Sequence, residues 1–320
     1  SICELVEANY VYPEKGKRIS TQIMANFRDG KYSRSSYPED FARRLDSDLI
    51  EISGDKHIGL VCDPDRVKEI RIEGNSDLAT KEMVNEERKR NFGFRELRIL
   101  AGNIGYLDLR SFFHPKYAGD TAVAAMNFLS NCDAIIVDLR RNGGGWGYMV
   151  ALLISYFLDN KEIVHLTTIY SRPKDKYDQN WTLPYVTGKT MPKIPIFVLT
   201  SKSTGSAAEA FCYCLKHLGR ATLIGETTRG AAHPIDEKIV DDNLILIVPE
   251  QRAINPNTGS NWEGVGVEPH EMVPAQEAMN LAHMRALECL VSHSQDENDK
   301  SKFNWYLEGL KAGLNPLTIN

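Results

Sequence analysis

The chain has 320 residues, of which 42% are hydrophobic and 25% charged, which suits one large globular domain with a smaller one beside it. A formal net charge of −5 gives no basic footprint for binding nucleic acid. No apolar run is long enough to cross a bilayer, so we expect a soluble chain with no membrane span.

Three segments with helical periodicity occupy the first 50 residues. They predict a small N-terminal three-helix domain over residues 1–62, followed by a core over residues 63–320. Between residues 56 and 103 the sequence predicts short strands and one charged helix, and then a strand at Ile104–Leu109.

Helical and strand-like segments alternate through the middle of the chain. Helices are predicted at 118–130, 147–158 and 206–218, and strands at 134–139, 163–169, 194–199, 222–224 and 244–248. This alternation predicts an α/β fold with a mixed, largely parallel sheet core flanked by helices. Further helices are predicted at 274–293 and 302–312, and the polar, aromatic segment 171–188, which contains Trp181, is predicted to be a loop at a substrate groove.

Ser206 lies where the apolar strand at 194–199 gives way to the helix at 206–218. A side chain at this corner stands at the positive end of the helix dipole, beside free backbone N–H groups, so it is well placed to act as a nucleophile. Serine is also among the best helix N-caps, so this segment alone leaves a purely structural role open.

A second strand, at 134–139, runs into the consecutive glycines Gly143, Gly144 and Gly145. Glycines in such a turn can adopt positive φ, and their N–H groups can form a nest for an anion. No Lys-Ser or Lys-Thr follows, and dinucleotide-fingerprint spacing is absent, so a nucleotide loop is disfavoured. A nucleophile and N–H donors on two such loops are what acyl transfer requires.

The base is not identified by spacing, because the chain has eight histidines. His57 lies between a polar turn and a short apolar strand, while His233 and His270 lie in loops after Ser206. The six cysteines show no zinc-site spacing, so no metal and no cofactor is expected, and we interpret most of them as buried free thiols.

Six strings carry a resemblance to a known family when they are taken in order: GDKHIGL, GNIGYLDLRSF, DAIIVDLRRNGGG, VLTSKSTGSAAEAF, IGETTRGAAHP and NWEGVGVEPHEMV. The chain resembles the tail-specific, or C-terminal processing, serine peptidases, which include the tricorn core and the repeats of interphotoreceptor retinoid-binding protein. The resemblance runs from the N-terminus to about residue 275 and implies a crotonase-like spiral of strands and helices. It favours the cell envelope or the outside, whereas free thiols favour a reducing compartment.

The resemblance also implies roles for individual residues. Ser206 would be the nucleophile, His57 the base and Glu263 the acid that supports the base. The N–H groups of Gly144 and Ala207 would bind the oxyanion, and Gly143, Gly145 and Trp181 would contact the substrate.

One branch of the family uses a lysine base, but Ala231 occupies the matching position here, so His57 is expected to carry the proton. The segment between His57 and Ile104 is too short for the PDZ domain that many relatives carry. These features predict a serine-type peptidase that acts on a peptide or unfolded protein, in an oligomeric state that the sequence does not indicate. The alternative that the retinoid-binding branch implies is a catalytically silent module for an apolar ligand.

Overall fold

The computed structural model describes residues 1–33, 35, 37–73 and 79–315. The chain divides into two compact units, each assembled from segments that are distant in sequence. Unit 1 comprises residues 1–78, 167–179 and 231–264, and unit 2 comprises residues 79–166, 180–230 and 265–320. The predicted domain boundary between residues 62 and 63 stays a prediction.

Within the described residues the α-helices are α1 (Ile2–Asn9), α2 (Pro13–Arg28), α3 (Pro38–Ser53), α4 (Pro64–Glu73), α5 (Lys81–Lys89), α6 (Pro115–Leu129), α7 (Gly147–Phe157), α8 (Ala207–His217), α9 (Ala278–His293) and α10 (Glu297–Lys311). The strands are β1 (Gly59–Cys62), β2 (Phe94–Leu100), β3 (Ile104–Leu109), β4 (Ala134–Asp138), β5 (His165–Ser171), β6 (Lys176–Trp181), β7 (Ile196–Thr200), β8 (Thr222–Gly225), β9 (Ile235–Ile239), β10 (Leu244–Pro249), β11 (Gln251–Ile254) and β12 (Glu271–Met272).

Unit 1 packs α1, α2 and α3 around an antiparallel sheet of order β1-β10-β9. Proline in the first turn of α2 and of α3 supplies a preset φ where no N–H is needed. The apolar faces of the helices bury Val6, Ile19 and Leu45 in one cluster with Leu246 of the sheet. Gly54 ends α3 in the left-handed conformation, with φ of 66°, and turns the chain towards Asp55 and His57.

Unit 2 is built on a six-stranded sheet of order β12-β8-β7-β4-β3-β2. Strands β3, β4, β7, β8 and β12 are parallel, and β2 pairs antiparallel with β3. Every residue of β3, β4 and β7 is buried, as expected for strands covered on both faces, and this includes Asp108 of β3 and Asp138 of β4. Parallel strands end at one edge, so the loops after β3, β4 and β7 gather there.

The α/β class with a mixed, largely parallel sheet is confirmed by this topology. Two local predictions were wrong. The described part of residues 56–103 contains two helices, α4 and α5, rather than one. Residues 171–188 are not simply a loop, because β6 forms the edge of a three-stranded sheet of order β11-β5-β6. Most residues of β6 are exposed and polar. The sequence of this strand therefore lacks the apolar–polar alternation by which a half-buried strand is recognised.

None of the helices in the described ranges has the length and apolar character that crossing a bilayer requires.

Candidate active site

Ser206 sits at the junction between the loop that follows β7 and the start of α8. It is half-buried and has φ of 52° and ψ of −121°, a backbone conformation that residues other than glycine rarely adopt. Such a conformation costs about 1–3 kcal/mol and persists only where its surroundings enforce it. Ser206 therefore sits in a strained turn with its side chain at the N-terminus of a helix.

A buried carboxylate, Glu209, holds that turn in place. Its Oε2 accepts the Ser206 N–H at 2.9 Å, while its Oε1 accepts the Thr228 hydroxyl at 2.5 Å and the Gly230 N–H at 2.6 Å. Sequence reasoning missed this residue, although the spacing of Ser206 and Glu209 is that of a capping box. Glu209 ties the start of α8 to the loop that follows β8.

Gly144 lies against Ser206. Its φ is 118°, and a Cβ placed there would lie 2.6 Å from the Cβ of Ser206 and 3.0 Å from the Ala207 nitrogen. Gly145 has φ of 136°, and a Cβ there would lie 2.3 Å from the Phe112 carbonyl oxygen. Neither position can hold a side chain without displacing backbone.

The two predicted oxyanion donors differ in their hydrogen bonding. Within the described residues, the Ala207 N–H has no hydrogen-bond acceptor, as expected in the first turn of a helix. The Gly144 N–H instead donates to Oδ1 of Asn142 at 2.9 Å, and that side chain donates in turn to the Leu109 carbonyl. An oxyanion would have to share the Gly144 N–H with Asn142.

His57 lies in unit 1, in the segment between α3 and β1, and is half-buried. Its backbone N–H donates to Oδ1 of Asp55 at 2.9 Å. This hydrogen bond closes a local turn in which the aspartate side chain holds the backbone of the residue two positions later. Asp55 is completely buried, and its other oxygen accepts the Tyr10 hydroxyl at 2.8 Å.

Glu263 lies in the same unit, next to His233. Nδ1 of His233 is 2.9 Å from Oδ2 of Asp55 and 3.5 Å from Oε2 of Glu263. Oε2 of Glu263 also accepts the Ala232 N–H at 2.7 Å. Asp55 and Glu263 therefore face one imidazole, which links the segment containing His57 to the turn containing Glu263.

The environment moves the pKa values of the two carboxyl groups in opposite directions. Burial would raise the pKa of Asp55, but the hydrogen bond and charge of His233, together with the His57 N–H and the Tyr10 hydroxyl, bring it below its usual range. Burial and the neighbouring charge of Asp55 raise the pKa of Glu263. Titratable groups driven apart in this way are typical of sites that handle protons.

Two further predicted features have clear local surroundings. Ala231, at the position of the family's lysine, is 2% exposed, and its carbonyl accepts the indole N–H of Trp262 at 3.1 Å. Trp181 is 42% exposed, on β6, and stacks on His165 with ring centroids 4.5 Å apart. A role for Trp181 in binding substrate stays a prediction.

The structure thus groups the predicted residues in two sets. In unit 2, Gly144, Gly145, Ser206 and Ala207 lie at the carboxyl edge of the sheet, together with Gly143. In unit 1, His57 and Glu263 are linked through Asp55 and His233. The assignment of Ser206 and His57 to one reaction stays a prediction from the sequence.

Comparison with solved structures supports the fold. A photosystem II D1 C-terminal processing protease matches with a TM-score of 0.54 and 13% identity over 86% of this chain and 92% of that one. A putative peptidase from Parabacteroides merdae matches with a TM-score of 0.59 and 19% identity over 85% and 87% of the two chains. The tricorn protease matches with a TM-score of 0.56 and 16% identity over 97% of this chain and 36% of that one.

Sequence relatives point in the same direction. The chain is 30% identical to carboxyl-terminal-processing peptidase 2 from Arabidopsis thaliana chloroplasts, over 53% of this chain and 32% of that protein. It is 31% identical to the tail-specific protease of Haemophilus influenzae, over 31% of this chain and 13% of that protein. The chain therefore matches a third or less of the length of these two relatives.

Family models cover most of the chain. Residues 1–91 match the N-terminal domain of family S41 peptidases in eukaryotic IRBP. Residues 103–273, more than half of the chain, match the model of peptidase family S41 itself. Together with the ordered motifs and the strained serine turn, these matches show that the chain belongs to peptidase family S41.

Proposed function

We propose that the protein is a serine-type peptidase that hydrolyses peptide bonds with Ser206 as nucleophile and His57 as base. The observation that carries the proposal is the Ser206 turn: a serine at positive φ, at the N-terminus of α8, with Gly144 against it and the Ala207 N–H available. This arrangement is the one an acyl-transfer nucleophile needs.

The proposed reaction proceeds in two steps. His57 takes the proton of the Ser206 hydroxyl while the oxygen attacks the substrate carbonyl, and the oxyanion accepts hydrogen bonds from the N–H groups of Ala207 and Gly144. His57 then protonates the leaving amine, which yields an acyl-enzyme. Water then attacks the ester carbonyl while His57 takes one of its protons. His57 returns this proton to the Ser206 oxygen as the ester bond breaks, which releases the carboxylic acid product and regenerates Ser206.

Ala231 supports a histidine base, because it occupies the position of the lysine in the Ser-Lys branch and its methyl group cannot accept a proton. Its side chain is buried, and its carbonyl accepts the Trp262 indole N–H. Glu263 is proposed to support the base, and Gly143, Gly145 and Trp181 to contact an extended peptide or unfolded protein.

Labelling with a fluorophosphonate probe tests the nucleophile, because the probe reacts with an activated serine. We expect the wild type to be labelled and to cleave a peptide library, and we expect Ser206→Ala to lose both properties while keeping its melting temperature within a few degrees. Ser203→Ala is the matched control, since Ser203 is exposed in the same loop. Equal labelling of wild type and Ser206→Ala would contradict the assignment.

A folded wild type that takes up no probe would favour the alternative, a catalytically silent module for an apolar ligand. Binding of a fluorescent fatty acid to the same preparation would then be the next measurement.

A further inference from the structure

His233 is the most completely enclosed histidine near the residues proposed for catalysis. Its side chain and that of Asp55 are both 0% exposed, and the edge of its ring contacts Tyr12 at a centroid distance of 5.5 Å. The proposed mechanism gives it no role. A buried imidazole in contact with two carboxyl groups calls for a physical explanation.

The hydrogen bonds assign its tautomer. The lowered pKa of Asp55 keeps that carboxylate ionised at neutral pH, so its oxygens only accept hydrogen bonds. Nδ1 of His233, at 2.9 Å from Oδ2 of Asp55, must therefore carry the proton. Within the described residues, Nε2 of His233 has no hydrogen-bond partner, so the hydrogen bond that orients the ring is the one from Nδ1 to Asp55.

Asp55 passes this restraint on to His57. One of its oxygens accepts hydrogen bonds from His233 and from the Tyr10 hydroxyl, and the other accepts the His57 N–H at 2.9 Å. A carboxylate held at both oxygens has one orientation, and the backbone of the residue two positions on is held with it. The imidazole of His233 is therefore, with the Tyr10 hydroxyl, one of the groups that hold Asp55 and the turn that carries His57.

We propose that His233 is a positioning residue for the base: by donating from Nδ1 to Asp55, it holds the His57 backbone in place and keeps Glu263 beside the same network. This role rests on the proposed function. His233 itself need not touch the substrate.

A metal ion is the competing interpretation, because Asp55, His233 and Glu263 offer three ligand atoms within 4.8 Å of one another. Two observations favour a proton over a metal. The first is that Oδ2 of Asp55 already accepts two hydrogen bonds. The second concerns Nε2 of His233: a histidine that binds a metal through one ring nitrogen almost always donates from the other to an oxygen, and Nε2 has no such partner in the described part of the chain.

Three substitutions separate these roles. Asparagine places an amide N–H close to the position of Nδ1, so His233→Asn can keep the bond to Asp55. Glutamine places its amide near Nε2 instead, and alanine removes both. We expect His233→Ala and His233→Gln to lower kcat by about 10² with little change in KM. Loss of a carboxylate that orients the base directly lowers kcat by about 10⁴, and the effect of His233 should be smaller because it acts on His57 only through Asp55. His233→Asn should retain kcat within about tenfold of wild type.

The matched control is His293→Ala, which removes an exposed histidine from the last turn of α9. Melting temperature is measured on every variant, and kcat is referred to the folded fraction. A merely structural His233 would lower the melting temperature and leave kcat of the folded protein unchanged, which would overturn the proposal. Equal losses in His233→Asn and His233→Ala would overturn it as well.

A readout without turnover keeps the two proposals distinguishable. In NMR spectra of the ¹⁵N-labelled full chain, we expect the His57 backbone amide to shift in His233→Ala and to stay close to its wild-type position in His233→Asn. An unchanged His57 amide in His233→Ala would refute the positioning role even if the wild type were inactive. Loss of wild-type activity in EDTA with recovery in Zn²⁺ would replace it with a metal site, whereas failure of Ser206 labelling would count only against the peptidase assignment.

Discussion

Glu263 illustrates how a single side chain can combine a structural and a chemical role. Its Oε2 accepts the Ala232 N–H at 2.7 Å and lies 3.5 Å from Nδ1 of His233. The turn around it has a separate cap, because Oδ1 of Asn261 accepts the Glu263 N–H at 2.9 Å. The carboxylate is therefore not needed to close its own turn, which favours a role in the network around His233.

Substitution of Glu263 by glutamine tests that role. Glutamine keeps the size of the side chain and an oxygen for the Ala232 N–H but removes the charge, so we expect KM to change little and turnover to fall by about 10², less than the 10⁴ for a directly orienting carboxylate. Melting temperature and turnover are measured on the same preparation. Unchanged turnover in the folded variant would remove Glu263 from the catalytic group and leave Ser206 with His57 alone.

At the level of single residues, the sequence could predict those that stand in recognisable strings. Ser206 and Gly144 follow buried strands, and a Cβ at Gly144 would lie 2.6 Å from the Cβ of Ser206. Glu209 could have been found from its capping-box spacing. Its burial and its hydrogen bonds to the loop after β8 could not be predicted from the sequence. The pairing of Asp55 with His233 had no signal in the sequence, because the two residues are 178 positions apart.

The glycine turn after β4 shows how one element constrains another. Its backbone approaches the start of α8 so closely that the Cβ of an alanine at Gly144 would lie 2.6 Å from the Cβ of Ser206 and 2.9 Å from the Gly205 carbonyl oxygen. No real Cβ tolerates these separations, so one of the two elements would have to move.

We expect Gly144→Ala to lose fluorophosphonate labelling by at least tenfold and to lower the free energy of unfolding by about 1–3 kcal/mol, because φ of 118° is also strained for any residue with a Cβ. The control is Gly119→Ala on α6, where a Cβ would meet nothing within 4 Å. Chemical denaturation and labelling rates check both variants. Normal labelling of Gly144→Ala would show that the turn is not packed against the nucleophile in solution.

Elements were predictable where burial leaves a pattern. The strands β3, β4 and β7 are short and mostly apolar, and the positions predicted for them and for the helices that follow them are confirmed within a few residues. The polar strands β6 and β9 were missed. Their residues are exposed or half-buried, and backbone pairing holds them in their sheets without any requirement on side-chain hydrophobicity.

At the scale of the whole molecule, the order of strands and helices was enough to predict the fold class. It did not predict which segments of the chain belong to each of the two units. Segments 167–179 and 231–264 join the N-terminal residues in unit 1 although the chain passes through unit 2 between them. Strand β10 pairs with β1, at a sequence separation that no local pattern encodes. Such long-range pairing is determined by tertiary packing rather than by propensity.

The dependence of stability on pH provides a test at this scale, because Asp55 and Glu263 act on the folding equilibrium in opposite directions. The pKa of Asp55 is lowered on folding, so its stabilisation is present above the unfolded pKa of about 3.9 and is lost as pH falls through the folded value. The pKa of Glu263 is raised, so the folded state binds its proton more tightly, and stability declines as pH rises from about 4.3 through the raised value.

We therefore expect Asp55→Asn to be less stable than wild type at pH 7, with the difference in melting temperature narrowing as pH falls below about 4, where the wild type loses the same charge. Glu263→Gln should remove part of the decline in stability between about pH 4 and neutrality. Asp120→Asn is the control, since Asp120 is exposed on α6 and its substitution should leave the curve parallel to wild type. The test is to measure melting temperatures of the three variants and the wild type from pH 3 to 8. If the Asp55→Asn curve ran parallel to that of the wild type down to pH 3, Asp55 would not be the ionised partner of His233. The proposal that His233 positions His57 through Asp55 would then be wrong.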